Sequence, residues 1–99
     1  MTEKDIEKYL RNKVKTDLGG RAYKFVSPGN NGVPDRLIAL PYGKAVFVET
    51  KAPGKKSTPL QKAQQEKLRR LGFRVFPDVD SREKVNEVVE ACRRMGIFQ

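Results

Sequence analysis

The residues best suited to chemistry lie in one twenty-residue run, GVPDRLIALPYGKAVFVETK (32–51). Asp35 follows a proline, and Glu49 and Lys51 close VFVETK, where a strand bound for a core would carry apolar residues. Side chains alternate along a strand, so Phe47, Glu49 and Lys51 share one face while Val46, Val48 and Thr50 share the other. If the run closes into a hairpin at PYGK (41–44), Asp35 comes level with the end of its partner strand. There it meets Glu49 and Lys51. Two carboxylates and an ammonium so placed suit phosphodiester hydrolysis. The carboxylate oxygens hold a divalent cation that shields phosphate charge and acidifies water. The lysine orients that water or stabilises the charge of the transition state. Taken alone, the same residues also describe a cross-strand Asp/Glu–Lys ion pair at a sheet margin, the commoner outcome.

Composition narrows the chemistry. With no histidine there is no imidazole base, no His–Asp triad and no His-ligated metal. A single cysteine, Cys92, excludes an internal disulfide and a Cys-rich zinc site. Any metal must then be bound by oxygen, which favours Mg²⁺ or Mn²⁺. The balance of 21 Lys+Arg against 12 Asp+Glu gives a formal charge of +9, which points to a polyanionic partner and above all to nucleic acid. The plainer alternative is charge that only keeps the protein soluble. Ninety-nine residues suit one domain spanning 1–99, able to bury a modest core. No apolar run approaches the ~20 residues of a membrane span, and the polar start is no secretory signal, so a cytoplasmic location in a bacterial or infected host cell is expected.

The elements that must position these residues follow from periodicity. EKDIEKYLRNKVKTDL (3–18) predicts a helix, with Ile6, Leu10, Val14 and Leu18 spaced by four and Gly19-Gly20 ending it. Glu7 falls between Val14 and Leu18 on the helical wheel, inside the apolar arc. RAYKFVS (21–27) predicts a strand, SPGNNG a polar loop, and 35–40 and 45–51 the two strands of the hairpin. After the basic loop APGKKSTP comes a helix over 60–72, with Leu60, Ala63, Leu68 and Leu71 on its inner face. FRVF (73–76) predicts a fourth strand. Asp80 or Ser81 caps a last helix carrying Val85, Val88, Val89, Cys92 and Met95. The order α-β-β-β-α-β-α, with a helical crossover between the last two strands, implies an α/β fold with a central mixed four-stranded sheet flanked by helices.

Several blocks now combine. Gly32-Val33-Pro34-Asp35-Arg36, Phe47-Val48-Glu49-Thr50-Lys51 and Thr58-Pro59-Leu60-Gln61 resemble the PD-(D/E)XK nuclease superfamily. Within it the stand-alone VRR-NUC (virus-type replication–repair nuclease) branch is most similar, from the Glu7 helix through to LGFRV. That resemblance implies a restriction-endonuclease-like core and a metal-dependent nuclease. It implies Asp35 and Glu49 as metal ligands, with Glu7 from the first helix completing the set. It further implies Lys51 as the catalytic lysine and Gln61 as the glutamine added by the following helix. Glu7 has the competing reading of a carboxylate that snorkels to solvent or pairs with a cation. Gln61 also completes a capping box with Thr58, and Gln64 is a reserve candidate for its site role.

Lys24, Ser27, Asn30, Asn31 and Arg36 flank the site in sequence and are candidate phosphate contacts. Lys55 and Lys56 lie in the loop after Lys51, and with Lys62, Arg69 and Arg70 they would form a basic stripe that reads backbone, not bases. Asp78 and Asp80 are expected to cap the last helix. The resulting expectation is a Mg²⁺- or Mn²⁺-dependent DNA endonuclease, structure-selective on branched DNA such as Holliday junctions. The resemblance implies a homodimer. The rival expectations are a nicking or flap-type nuclease with a larger partner, a non-catalytic DNA-binding module on the same fold, and an RNA-binding or ribosome-associated basic protein.

Overall fold

A computed structural model describes residues 1–97 of the chain. Thr2 starts the first helix, α1 (Glu3–Leu18): its hydroxyl accepts from the Asp5 N–H while the Asp5 carboxylate accepts from the Thr2 N–H. That reciprocal pair satisfies two of the donors a helix start leaves open. Ile6, Leu10, Val14 and Leu18 are all fully buried, so the spacing by four reads out as one core-facing stripe. Gly19 ends the helix at φ 67°, a left-handed cap.

The sheet runs β1-β2-β3-β4 and is mixed. β1 (Arg21–Lys24) is antiparallel to β2 (Arg36–Ala39), and β2 is antiparallel to β3 (Ala45–Thr50), with Arg36 opposite Val48. A short 3₁₀ turn at Pro41–Gly43 closes the hairpin, and the Leu40 N–H donates to the Lys44 carbonyl at 2.8 Å. α2 (Pro59–Arg70) then crosses to β4 (Arg74–Val79), which pairs with β3 in parallel, and α3 (Arg82–Arg93) ends the described fold. The expected element order and the mixed four-stranded sheet are both present.

The core lies between the sheet and the α1–α3 pair. It joins the α1 stripe to Ile38, Val46, Val48, Val79, Val85, Val88, Val89 and Cys92. Cys92 is buried and its thiol is pushed up to about 11 by that burial, which makes it inert packing. On the alternate strand face Phe47 stacks against Phe25 and Phe73 at centroid distances of 5.4 and 5.2 Å.

Three expectations change. β1 stops at Lys24, three residues early, because the chain leaves the ladder for the SPGNNG loop after a last bond from the Phe25 N–H to the Asp35 carbonyl. β4 runs on to Val79 as a bulge: Val48 pairs with Phe76 but Thr50 with Val79, so the extra residue falls at Pro77-Asp78. Proline cannot donate to the ladder, and Asp78 takes up φ 53°. In α2 only Leu68 of the expected Leu60, Ala63, Leu68 and Leu71 lies on the inward face, beside Gln61, Gln64 and Gln65. Leu60 and Leu71 are 52% and 75% exposed, Ala63 is exposed too, and the buried residue is Gln65. The capping box holds Gln61 against Thr58, Gln64 donates to the Asn31 carbonyl and Gln65 to the Ser57 hydroxyl, so polar contacts hold this face inward.

Candidate functional site

The hairpin register brings Asp35 level with Glu49, as the alternation demanded. The Asp35 N–H donates to Glu49 Oε2 at 3.0 Å, and Asp35 Oδ1 accepts from the Thr50 N–H at 2.7 Å. The Thr50 hydroxyl donates to Asp35 Oδ2 and lies 3.4 Å from Glu7 Oε1, so β3 ties a carboxylate of β2's approach to one from α1. One hydroxyl proton serves only one acceptor at a time, and the closer is Asp35.

Lys51 completes the cluster. Its ammonium donates to Gln61 Oε1 at 2.7 Å and stands 3.8 Å from Glu49 Oε1. The same Gln61 oxygen accepts from the Thr58 N–H at 2.9 Å. Gln61 therefore caps α2 and orients Lys51 with one atom. Glu7, Asp35, Glu49, Lys51 and Gln61 thus converge on one place from α1, the turn before β2, β3 and α2.

Electrostatics follow from the crowding. Burial, then the neighbouring Asp35 carboxyl, pushes Glu49 up to about 7, against the pull of the Asp35 N–H and the Lys51 ammonium. Glu7 is raised for the same two reasons, with Arg36 opposing. Each carboxylate makes its neighbour's charge more costly, which is the signature of acids gathered with too few cations.

Arg36 does not belong to a DNA surface. It is 7% exposed, its Nη2 lies 3.6 Å from Glu7 Oε2, and its Nη1 reaches the Ala22 carbonyl at 3.5 Å. Its Nε is buried without a hydrogen-bond partner among the described residues. The alternation of β2 turns this side chain toward α1, so the cation holds Glu7 in the cluster instead of meeting phosphate.

The chain can now be set beside known proteins. No family model matches it. A solved structure described as a VRR_NUC domain superposes with a TM-score of 0.80 at 34% identity, covering 91% of this chain and 97% of the other. The chain belongs to the VRR-NUC family. A curated protein named "Putative nuclease p44", from Acyrthosiphon pisum secondary endosymbiont phage 1, is 58% identical over 74 residues, 75% of this chain and 78% of that protein.

Around this VRR-NUC cluster the other expected contacts divide. Lys24, Lys55 and Lys56 are exposed. Ser27 accepts from the Asn30 side chain at 3.0 Å, and the Asn31 carbonyl accepts from Gln64 at 3.2 Å, so both support the 27–34 loop. Gln64 is therefore a loop anchor, and Gln61 is the glutamine at Lys51. Gly32 sits at φ 89° where a Cβ would come within 2.9 Å of Leu60, which lets this loop lie against the start of α2.

Asp78 and Asp80 do not cap α3; the Ser81 hydroxyl does, accepting from the Lys84 N–H at 3.1 Å. The bulge aims Asp78 back at the loop after Lys51. Its Oδ1 accepts from the Ser57 N–H at 2.6 Å and from the Ser57 hydroxyl at 2.7 Å, while buried Gln65 donates to that hydroxyl at 2.9 Å. Asp80 accepts from the Gly54 N–H at 3.0 Å. The loop that carries Lys55 and Lys56 is thereby pinned at both ends. Sequence reasoning also passed over Thr50, whose alternation placed it on the opposite face from Glu49; only its backbone N–H and its contact to Glu7 reveal it.

Among the described residues no three acidic, histidine or cysteine side chains form a ready-made metal cage. The donor set nonetheless fits a hard divalent cation. All its members are oxygens, and the three carboxylates face only the Lys51 and Arg36 cations. The raised Glu49 and Glu7 mark a negative excess that a proton or a metal would relieve.

Proposed function

We propose that this chain is a divalent-metal-dependent DNA endonuclease acting on branched DNA, Holliday junctions among its substrates, as a homodimer. The observation that carries the hydrolytic reading is the convergence of Glu7, Asp35 and Glu49 around Thr50, with Lys51 held at their side by Gln61. VRR-NUC membership and the phage relative named as a nuclease support it. Asp35, Glu49 and Glu7 would hold Mg²⁺ or Mn²⁺, which supplies Lewis acidity toward phosphate and water.

The chain's own residues do the rest. Lys51 presents an ammonium whose direction is fixed by Gln61, ready to donate to a water or to a non-bridging phosphate oxygen. Thr50 and the Asp35 N–H hold the carboxylates in place, which keeps the donor atoms converged before substrate arrives. Arg36 keeps Glu7 from turning to solvent. Nothing here presents a base-reading helix, so substrate choice would rest on backbone and shape. A two-fold junction suits paired sites, and one small domain offers little surface for holding four arms.

The test is cleavage of four-way-junction, flap, single-stranded and linear duplex DNA with Mg²⁺, Mn²⁺ or EDTA, beside Lys51→Ala and Asp35→Ala. Metal-dependent cleavage strongest on the junction and lost in both variants is expected. Binding without cleavage on every substrate would overturn the enzymatic reading, and cleavage surviving both substitutions would move the site elsewhere. Activity on flaps alone would replace junctions with a flap-type substrate. Light scattering with and without DNA checks the dimer.

A further inference from the structure

Two groups of cations flank α1. Toward α3, Lys13 and Arg93 bind Asp17 at 2.6 and 3.5 Å, Arg93 also reaches Glu90, Lys84 binds Asp80, and Arg82 lies over the Tyr9 ring. On the opposite side of α1, Lys4, Lys8, Arg11 and Lys15 are all exposed, and none forms an ion pair among the described residues. Their spacing of four, three and four puts them on one line down the helix, within about 60° of arc. That arc begins next to Glu7. The acids of the same turns are not interleaved with it, since Asp5 is bound into the Thr2 cap and Glu7 faces Arg36 and Thr50.

A second row lies beside this one on the sheet. A cleft of about 200 Å³ between α1 and β1 is lined by Arg11, Asn12, Lys15, Gly20, Arg21, Ala22 and Tyr23. Exposed Arg21 and Lys24 flank the row along the sheet edge, Lys24 opposite Arg36 at the site end, and Tyr23 is 53% exposed between them. Lys4 to Lys15 covers about 16 Å at 1.5 Å per residue, the axial length of about five base pairs at 3.4 Å each. The row therefore has the length and sign to follow one strand of a duplex. Its near end lies beside the carboxylate cluster and its far end at the start of β1.

We propose that this α1–β1 row is the track on which a duplex arm of the substrate leaves the site, held by its phosphates. The partner is double-stranded DNA, recognised by charge and not by sequence. The identity of the partner rests on the nuclease reading, but the track is tested without catalysis. Equilibrium binding of the full chain to a 20-base-pair duplex and to a junction is measured in EDTA from 50 to 200 mM salt. The variants are Lys8→Ala/Arg11→Ala/Lys15→Ala and, for the paired side, Lys13→Ala/Lys84→Ala/Arg93→Ala.

Losing three phosphate contacts lowers the slope of log affinity against log salt by about 2.7, so the wild type weakens about 40-fold more than the row variant across that range. The paired-side variant keeps the wild-type slope. A row variant with unchanged slope overturns the track, as does an equal fall in both variants, which would make the effect one of net charge. A wild type that binds neither DNA overturns it also. If the wild type binds but never cuts with metal, the enzymatic reading fails while the slopes still decide the track. The row side chains and Arg93 are exposed, Lys13 and Lys84 are half-buried, and circular dichroism checks that each variant is folded.

Discussion

Thr50 holds the site together through two different bonds, a backbone N–H to Asp35 Oδ1 and a hydroxyl shared between Asp35 Oδ2 and Glu7. Thr50→Val keeps the branched shape and the strand but deletes the hydroxyl, leaving the half-buried Asp35 carboxylate short of a donor. Groups that orient ligands are worth about 10–100-fold, so cleavage is expected to fall by that factor while stability falls by about 1–3 kcal/mol. Unchanged cleavage would show that Glu7 and Asp35 are held without it. Arg36→Met tests the opposite face of Glu7: the apolar chain fills the space but removes the opposing charge. Glu7 then rises further, and cleavage at pH 7 is expected to fall by more than cleavage at pH 9. A pH–rate profile of identical shape in both proteins would remove Arg36 from the site.

Asp78 belongs to the scale of elements, because it joins β4 to Ser57, 21 residues earlier. The bulge at Pro77-Asp78 exists because proline leaves the ladder, and the turn it makes points the Asp78 carboxylate at Ser57. Asp78→Ala removes the acceptor for two Ser57 donors and frees the loop that follows Lys51. Trypsin is expected to cut at Lys55 and Lys56 several-fold faster in this variant, ahead of global unfolding. Equal cleavage rates in the two proteins would show that Asp80 or Gln65 suffices.

The same elements show what could be read from the sequence. The α1 stripe, the hairpin and the meeting of Asp35, Glu49 and Lys51 were legible, because each depends on short-range periodicity or on a register fixed by a short turn; Glu7 and Gln61 joined them only through the resemblance to the nuclease superfamily. The phase of α2 was not, because polar contacts at Gln61, Gln64 and Gln65 outweigh Leu60 and Leu71, which suggested another face. The burial of Arg36 and the aim of Asp78 were hidden for a related reason. A salt partner across the sheet and a bulge set by a parallel neighbour are tertiary facts, and local pattern carries neither.

At the scale of the whole molecule, the raised carboxylates make stability depend on pH, and a bound metal is expected to oppose that dependence. Glu49 ordinarily titrates at 4.5 and stands at about 7 in the folded chain. An acid raised on folding binds its proton more tightly in the native state. Its contribution is therefore fully present below about 4.5 and is lost as pH rises to about 7. Glu7 is raised in the same direction and adds to the loss. In metal-free buffer the wild type should lose stability over that window relative to Glu49→Gln, and the comparison cancels the general repulsion of a chain with net charge +9. A cation binding ionised carboxylates reverses the trend. At pH 8, Mg²⁺ at about 100 times its Kd adds about 2.7 kcal/mol, or about 10–20 °C in Tm for a domain of this size. At pH 5 the metal must displace protons, so the shift shrinks, and in Asp35→Asn it disappears at both values. Thermal melts of the three proteins at pH 5 and pH 8, with EDTA or Mg²⁺, measure all of this without DNA. Equal Mg²⁺ shifts at the two pH values, or an undiminished shift in Asp35→Asn, would place the cation away from Asp35 and Glu49.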